Sequence, residues 1–166
     1  SRITYSHSWV FTQRLMNAEH FLLPITHQAG DSTPLAWTLL LYTACGLALD
    51  FPNTQARWQF AIRTDAMFYQ PYRLMLQYLS PKWHGDKQGT DIIEFVRSVL
   101  AQDRPPAYNA LYLLTLEAHC EVYSSLGQDD SYFLREDVHG GVCEAFAMLQ
   151  AVVTNEARAP SRQWVR

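Results

Sequence analysis

The sequence predicts an all-α protein made of antiparallel helix pairs stacked side by side, with about six to eight helices. Three observations support this fold class. Apolar residues recur at intervals of three and four along most of the chain, prolines and capping residues stand at the expected helix starts, and strand-like alternation is nearly absent. The chain has 166 residues, 48% of them hydrophobic, and can bury a core of its own. We expect one helical domain over residues 1–158 and a frayed tail over residues 159–166.

The first helix is expected over residues 8–27, with Pro24 bending or ending it. Its apolar positions repeat at helical spacing and are Phe11, Leu15, Ala18 and Leu22. The second helix is expected to begin at Pro34 and to be capped by Thr33, because proline favours the first helical position. Residues 32–49 carry no charge, which a central buried helix explains better than a membrane span does.

The third and fourth helices are expected to follow at Asn53 and Pro71. Asn53 should cap the third helix, with Ala56 and Phe60 on its inner side. Pro71 opens the fourth helix and Pro81 stops it. The inward-facing residues of the fourth helix are expected to be Leu74, Met75 and Leu79.

The second half of the chain predicts four further helical segments. Thr90 or Asp91 caps the fifth helix. The apolar stripe of that helix is Ile92, Phe95, Val96, Val99 and Leu100. Pro106 begins the sixth helix, and the Gly140-Gly141 pair is expected to form a turn before the last one. The expected bounds of these later helices are 107–125, about 131–135 and 142–156.

The prolines that open helices are regularly spaced. Pro34, Pro71 and Pro106 lie 37 and 35 residues apart, close to the period of about 34 residues in tetratricopeptide arrays. The spacing predicts a short and divergent solenoid of the tetratricopeptide type.

The composition favours a protein partner over other partners. The net charge is −3, and the 13 Lys and Arg residues are scattered, so there is no basic stripe for nucleic acid. Nine Tyr and five Trp supply residue types that dominate protein interfaces. We therefore expect another protein as the partner, and no nucleic acid, membrane or cofactor.

The three cysteines, Cys45, Cys120 and Cys143, are an odd number on or near apolar segments. This pattern favours reduced, buried thiols in the cytoplasm over a disulfide framework. Cys120 and Cys143 also form the most metal-like group of the chain together with His119 and His139. Adjacent residues on a helix point about 100° apart, so His119 and Cys120 are poorly placed to share one ion. We expect no structural metal.

One segment carries a family resemblance, and its residues are Leu79-Ser80-Pro81-Lys82-Trp83-His84-Gly85-Asp86, followed by Phe95 and then Leu116-Glu117-Ala118-His119. Over about residues 9–150 this pattern resembles the bacterial DUF4034 family. The chain differs from that family at His84, where glycine is usual, and at Asp86, where serine is usual. The resemblance implies a helical fold and a bacterial source, and it implies no particular activity.

A candidate acid–base site is formed by Glu117, His119 and Glu121 on one helix. Glu117 and Glu121 are four residues apart and share a face, so they could raise each other's pKa if buried and act in acid–base catalysis. A structural ion pair between one of these glutamates and an arginine such as Arg97 or Arg63 is the favoured interpretation, because ion-pair networks also perturb pKa values.

His139-Gly140-Gly141 resembles the oxyanion loop of esterases. That chemistry also requires a Gly-x-Ser-x-Gly nucleophile elbow, which the sequence lacks. The segment is therefore interpreted as the turn before the last helix.

Trp83 and His84 lie in a short loop between Pro81 and Gly85. A tryptophan in such a loop either fills the core of its own protein or contacts a partner. The core is favoured, because tryptophan is highly buried on average. We expect the Trp83 indole to insert between the flanking helices, which offer Leu76, Leu79, Ile92 and Phe95.

These observations predict a non-catalytic helical scaffold that binds another protein, such as a bacterial immunity protein or an adaptor. The alternative is a small enzyme that uses Glu117, His119 and Glu121. The residues expected to contact a ligand or partner are Trp83, His84, Asp86, Glu117, His119 and Glu121. A deep polar pocket at His119 would favour the enzyme, whereas a shallow groove lined by Tyr and Trp would favour protein binding.

Overall fold

The computed structural model describes residues 5–29, 33–63, 65–102 and 110–158. Within these ranges it contains eight α-helices and no strand, so the predicted fold class is confirmed. The backbone divides into two compact units, residues 1–78 and residues 79–166. The single domain and the tetratricopeptide-like arrangement stay predictions, and the tail over 159–166 lies outside the described residues.

The first unit contains four helices, which are α1 (Tyr5–Ala29), α2 (Pro34–Leu47), α3 (Phe51–Arg63) and α4 (Tyr69–Tyr78). The uncharged helix α2 lies at its centre and packs against the other three. Its residues Leu40, Leu41 and Ala44 are fully buried. Among the described residues, no helix combines the length and the apolar character that crossing a membrane requires.

Two expected helix starts in the first unit are wrong, that of the third helix by three residues and that of the fourth by two. The third helix begins at Phe51, and Asp50 is its cap, because an Asp50 side-chain oxygen accepts the Asn53 N–H at 3.0 Å. Asn53 therefore lies inside the first turn. The fourth helix begins at Tyr69 and includes Pro71 in its first turn. The inward-facing residues expected on α4, together with Leu79 just beyond its end, are buried.

The inner face of α3 also differs from the prediction. Ala56 and Phe60 are exposed, and the buried residues are Thr54, Trp58 and Ala61. These three are spaced by four and three positions and include a tryptophan that contacts the Tyr72 ring edge to face at 5.8 Å. Burial of the larger tryptophan decides which side of α3 faces inward.

Local signals at α1 and α2 are overridden by the tertiary structure. Helix α1 continues through Pro24 to Ala29, so it does not end at Pro24. Pro34 does occupy the first turn of α2, but the Thr33 side chain makes no capping hydrogen bond. The Thr33 hydroxyl is buried without a hydrogen-bond partner. Packing against the neighbouring helices therefore maintains these segments where local capping does not.

The second unit contains α5 (Thr90–Leu100), α6 (Leu113–Ser125), α7 (Ser131–Leu134) and α8 (Glu136–Arg158). Helix α6 packs against α5 and α8, and α7 packs against α8. Of the expected apolar stripe of α5, Ile92, Val96 and Val99 are buried, and Phe95 and Leu100 are half-buried. Pro105 and Pro106 lie outside the described residues.

Helix α8 contradicts the turn expected at Gly140-Gly141. It begins at Glu136 and runs through both glycines to Arg158. Glu136 and Asp137 lie in its first turn, where their negative charges stabilise the helix by interacting with the positive end of its dipole. The glycines therefore occupy a helix interior, where each costs roughly 1 kcal/mol relative to alanine.

Candidate functional site

All six residues expected at a site lie in the second unit, and three of them belong to the loop before α5. This loop folds back on Ser80, whose carbonyl oxygen accepts the N–H groups of Trp83 at 2.9 Å and Gly85 at 3.2 Å. A Cβ atom at position 85 would lie only 1.9 Å from the carbonyl oxygen of Leu79. The tight turn therefore requires glycine there, and it gives residues 80–85 a fixed conformation.

Trp83 does not fill the core. Its side chain is 52% exposed, so the expected insertion between the flanking helices is wrong. The Trp83 N–H is held by the Ser80 carbonyl oxygen, whereas Ile92 and Val96 of α5 are buried. Trp83 is thus an exposed aromatic on a hydrogen-bonded turn.

Asp86 stabilises the end of this loop. Its carboxylate accepts the N–H groups of Asp91 at 2.8 Å and Gln88 at 2.9 Å, and its own N–H donates to the Asp91 carboxylate at 2.9 Å. The hydrogen bond from the Asp91 backbone is the main cause that lowers the pKa of Asp86. The reciprocal pair ties the loop to the first turn of α5, whose N-cap residue is Gly89. Asp86 is therefore committed to the fold of the loop, while its neighbour His84 is exposed.

Lys82 connects the loop to α6. Its Nζ atom lies 2.9 Å from the Ser124 hydroxyl and 3.6 Å from a carboxylate oxygen of Glu121. Of the two glutamates, Glu121 therefore pairs with Lys82, and the predicted pairing with Arg97 or Arg63 does not hold for Glu121.

The three candidate acid–base residues of α6 do not converge. Glu121 points to Lys82 and the loop, whereas the His119 ring points to α7 and α8. Residues two apart on a helix are separated by about 200°, so His119 faces away from the side that Glu117 and Glu121 share. Only His119 of the three lines the cleft described below.

His119 is 7% exposed and pairs with Tyr132 of α7. The His119 Nδ1 atom and the Tyr132 hydroxyl lie 2.7 Å apart. Burial lowers the pKa of His119, and the charges of Arg97 and Arg135 lower it further against the opposing charge of Asp137. The imidazole is therefore neutral at pH 7, with one ring nitrogen that accepts and one that donates.

The surroundings of Tyr132 indicate which nitrogen carries the proton. Burial raises the pKa of the Tyr132 phenol, so it keeps its proton at neutral pH. Among the described residues, the hydroxyl has no acceptor other than His119 Nδ1. The Arg135 guanidinium, 5.5 Å from the Tyr132 ring centroid, makes the phenol a better donor. We infer that Tyr132 donates to Nδ1 and that Nε2 of His119 carries the hydrogen.

The other side of His119 faces a cleft of about 300 Å³. Three helical segments line it at helical spacing, and the lining residues are Ile93, Val96, Arg97, Leu100, Ala101, Tyr112, Thr115, His119, Asp137, Gly141 and Glu144. Gly141 lies beside the His119 ring, because a Cβ atom there would be 3.7 Å from Nε2. The cleft is half open and is as small as the smallest typical ligand pockets.

Of the charged side chains that line the cleft, one is in an ion pair within the described part of the chain and two are not. Asp137 forms two hydrogen bonds with Arg135, at 3.2 Å and 2.8 Å, and these lower the pKa of the Asp137 carboxyl. Arg97 and Glu144 are exposed and have no ion-pair partner among the described residues. Arg97 is therefore the cation of the lining that remains available to a ligand.

The cysteines are only partly as expected. Cys45 is buried, and burial raises its pKa to about 11. Cys120 and Cys143 are exposed, so their expected burial is wrong. Within the described part of the chain, no three His, Cys, Asp or Glu side chains lie close enough together to hold a metal ion.

Comparison with known proteins adds no relative to this picture: no protein-family model, curated protein or solved structure matches the chain. The resemblance to the DUF4034 family stays a prediction.

The sequence interpretation missed the partners of His119. Tyr132 is 13 positions away in a four-residue helix, and Arg97 belongs to a different helix. Gly141 was a usable signal, since a glycine inside a helix is costly and this one lies beside the His119 ring.

Proposed function

We propose that this chain is a non-catalytic helical scaffold that binds a partner protein through the loop around Trp83. The observation that carries the proposal is the 52% exposure of an indole on a turn of fixed conformation. Tryptophan is the residue type most enriched at interface hot spots, and a preordered loop loses little entropy on binding. Burial of the indole against a partner would recover the hydrophobic free energy that the folded chain leaves unused.

The neighbouring side chains support an interface of this kind. Lys82 and His84 are exposed on either side of Trp83 and would supply polar contacts at its rim. The loop is anchored at one end by the Ser80 turn and at the other by the Asp86–Asp91 pair. Such a surface suits an adaptor or an immunity protein that covers another protein. An acid–base enzyme built on Glu117, His119 and Glu121 has less support, because these side chains do not converge.

The experiment compares Trp83→Ala with Phe146→Ala, a control that removes an exposed aromatic of α8 in the same unit. Proteins captured from the native host by the parent chain are identified by mass spectrometry, and the binding of the best-enriched one is measured with both variants. We expect Trp83→Ala to weaken binding at least tenfold and Phe146→Ala to leave it unchanged, with both melting temperatures near that of the parent. Equal binding by the two variants would remove the support for the Trp83 loop as the interface.

A further inference from the structure

The cleft beside His119 has the chemistry of a small-molecule site, and it is separate from the Trp83 loop. Helix α5 contributes an apolar wall formed by Ile93, Val96 and Leu100, and it also carries Arg97. The polar groups of the cleft include the Arg97 guanidinium and Nε2 of the largely buried His119. Small-molecule sites typically combine an apolar wall with a few fixed polar groups in this way.

The His119 ring and the Arg97 guanidinium both offer hydrogen-bond donors to the cleft. Tyr132 holds Nδ1 of His119 as an acceptor, and Nε2 is therefore left as an N–H donor beside Gly141. Arg97 offers a planar fork of N–H groups and a full positive charge. The Asp137 carboxylate, which would otherwise compete for these donors, is already paired with Arg135.

The charge balance selects the kind of anion. One available guanidinium matches one carboxylate, with which it forms paired hydrogen bonds. A phosphate dianion would meet a single free cation and the unpaired Glu144 carboxylate at the same cleft. The apolar wall adds a requirement for a hydrocarbon group next to the charge.

We propose that this cleft binds a small organic monocarboxylate, with its carboxylate on Arg97 and His119 Nε2 and its hydrocarbon part against Ile93, Val96 and Leu100. This site does not depend on the protein-binding function proposed for the Trp83 loop. The volume of about 300 Å³ admits a ligand of roughly ten non-hydrogen atoms.

Two adjacent glycines of α8 provide a matched test. Gly141→Ala would place a methyl group 3.7 Å from Nε2, in ordinary contact, and would cover the donor. Gly140→Ala meets nothing within 4 Å and does not line the cleft. Both changes put alanine in a helix interior, so both variants are expected to fold at least as stably as the parent.

The probes are phenylacetate, its uncharged analogue phenylacetamide and inorganic phosphate, titrated into the full chain and followed by two-dimensional NMR. We expect phenylacetate to bind with a dissociation constant of about 1 mM, which is ordinary for a ligand of this size. The shifted resonances should include those of α5, His119 and Gly141. Phenylacetamide and phosphate should bind at least tenfold more weakly.

The variants then assign the contacts. Arg97→Gln should weaken phenylacetate binding about tenfold, and Gly141→Ala should weaken it several-fold. Gly140→Ala and Arg14→Gln, which removes an exposed arginine of α1, should leave the affinity unchanged. Glu144→Gln should strengthen binding, because it removes a like charge. Failure of phenylacetate to bind, equal binding of the amide or phosphate, or equal effects of the two glycine variants would overturn the proposal.

Discussion

Arg57 in the first unit and His119 in the second are both largely buried polar side chains on helices, but their surroundings differ. Nη1 of Arg57 contacts the Glu19 carboxylate, the Leu40 carbonyl oxygen at 2.7 Å and the Thr43 hydroxyl at 3.1 Å. Thr43 also donates to Glu19 at 2.8 Å, which closes the network. His119 instead uses one nitrogen for Tyr132 and leaves the other facing a cleft.

The difference separates a structural polar group from a candidate binding group. The Arg57 network joins α1, α2 and α3 within the first unit, and its charge is compensated internally. The donor left on His119 has no such partner among the described residues and lies next to an available cation. Burial alone therefore does not mark a site, whereas a buried group with one unused and accessible atom does.

The largest loss of stability is expected when the hydrogen-bond network of Arg57, Glu19 and Thr43 is broken. Arg57→Met removes the positive partner of Glu19, so it should lower the free energy of unfolding by about 3 kcal/mol, measured by urea titration. The double variant Arg57→Met with Glu19→Gln should recover much of that loss, since no buried charge is then left unpaired. If the double variant is less stable than the single one, the pair is not the source of the effect.

A smaller loss of stability is expected when the His119–Tyr132 pair is broken. Tyr132→Phe removes the donor to His119 Nδ1 and leaves a buried nitrogen unsatisfied, so the free energy of unfolding should fall by about 1–2 kcal/mol. Tyr112→Phe, a half-buried tyrosine of the same cleft, serves as the control and should cost less. A loss as large as that of Arg57→Met would show that His119 is as structurally important as Arg57.

His119 and Glu19 should both make the protein less stable in acid, because the pKa of each is lower in the folded chain than its ordinary value. The cause of the lowered pKa differs between the two groups. The folded pKa of His119 lies below its ordinary value because of burial, so the unfolded chain takes up a proton first as the pH falls below 7. For Glu19, burial would raise the pKa, but the hydrogen bonds from Arg57 and Thr43 outweigh it, so the pKa lies below its ordinary value. That contribution is lost only at lower pH, below the ordinary range of a carboxyl group.

Urea midpoints of the parent and of His119→Gln, taken at pH 7.5 and pH 5.5, would test this order. The parent should lose stability between the two pH values, and His119→Gln should lose less. An unchanged loss in His119→Gln would assign the acid sensitivity to other groups.

The smallest expected effect is on the exposed loop. Trp83→Ala should change the free energy of unfolding by less than about 0.5 kcal/mol, because the indole is 52% exposed. Trp58→Ala, which removes a buried tryptophan of α3, should cost about 3–5 kcal/mol and is the contrasting measurement. A large loss of stability for Trp83→Ala, seen in thermal melting, would restore the anchor role that the sequence suggested.

The helical class, the number of helices and the buried stripes of α4 and α5 follow from the sequence alone. These features depend on the order of apolar residues along a single helix, which is local information. The inner side of α3 was predicted incorrectly, because Phe60 and Trp58 both fit a helical pattern and only packing selects the larger ring. Pro24 and the Gly140-Gly141 pair also have strong local preferences that packing against neighbouring helices overrides.

The candidate sites depended on the tertiary structure more strongly. The sequence identified Trp83 and His119 as residues of interest, but it assigned the indole to the core and His119 to the wrong partners. Exposure of Trp83 is set by the Ser80 turn, and the proton position on His119 is set by Tyr132 from another helix. Local sequence determines where helices form because their hydrogen bonds join residues four apart. Which side chains meet, and which atoms stay accessible, is decided by contacts between distant residues that no short pattern contains.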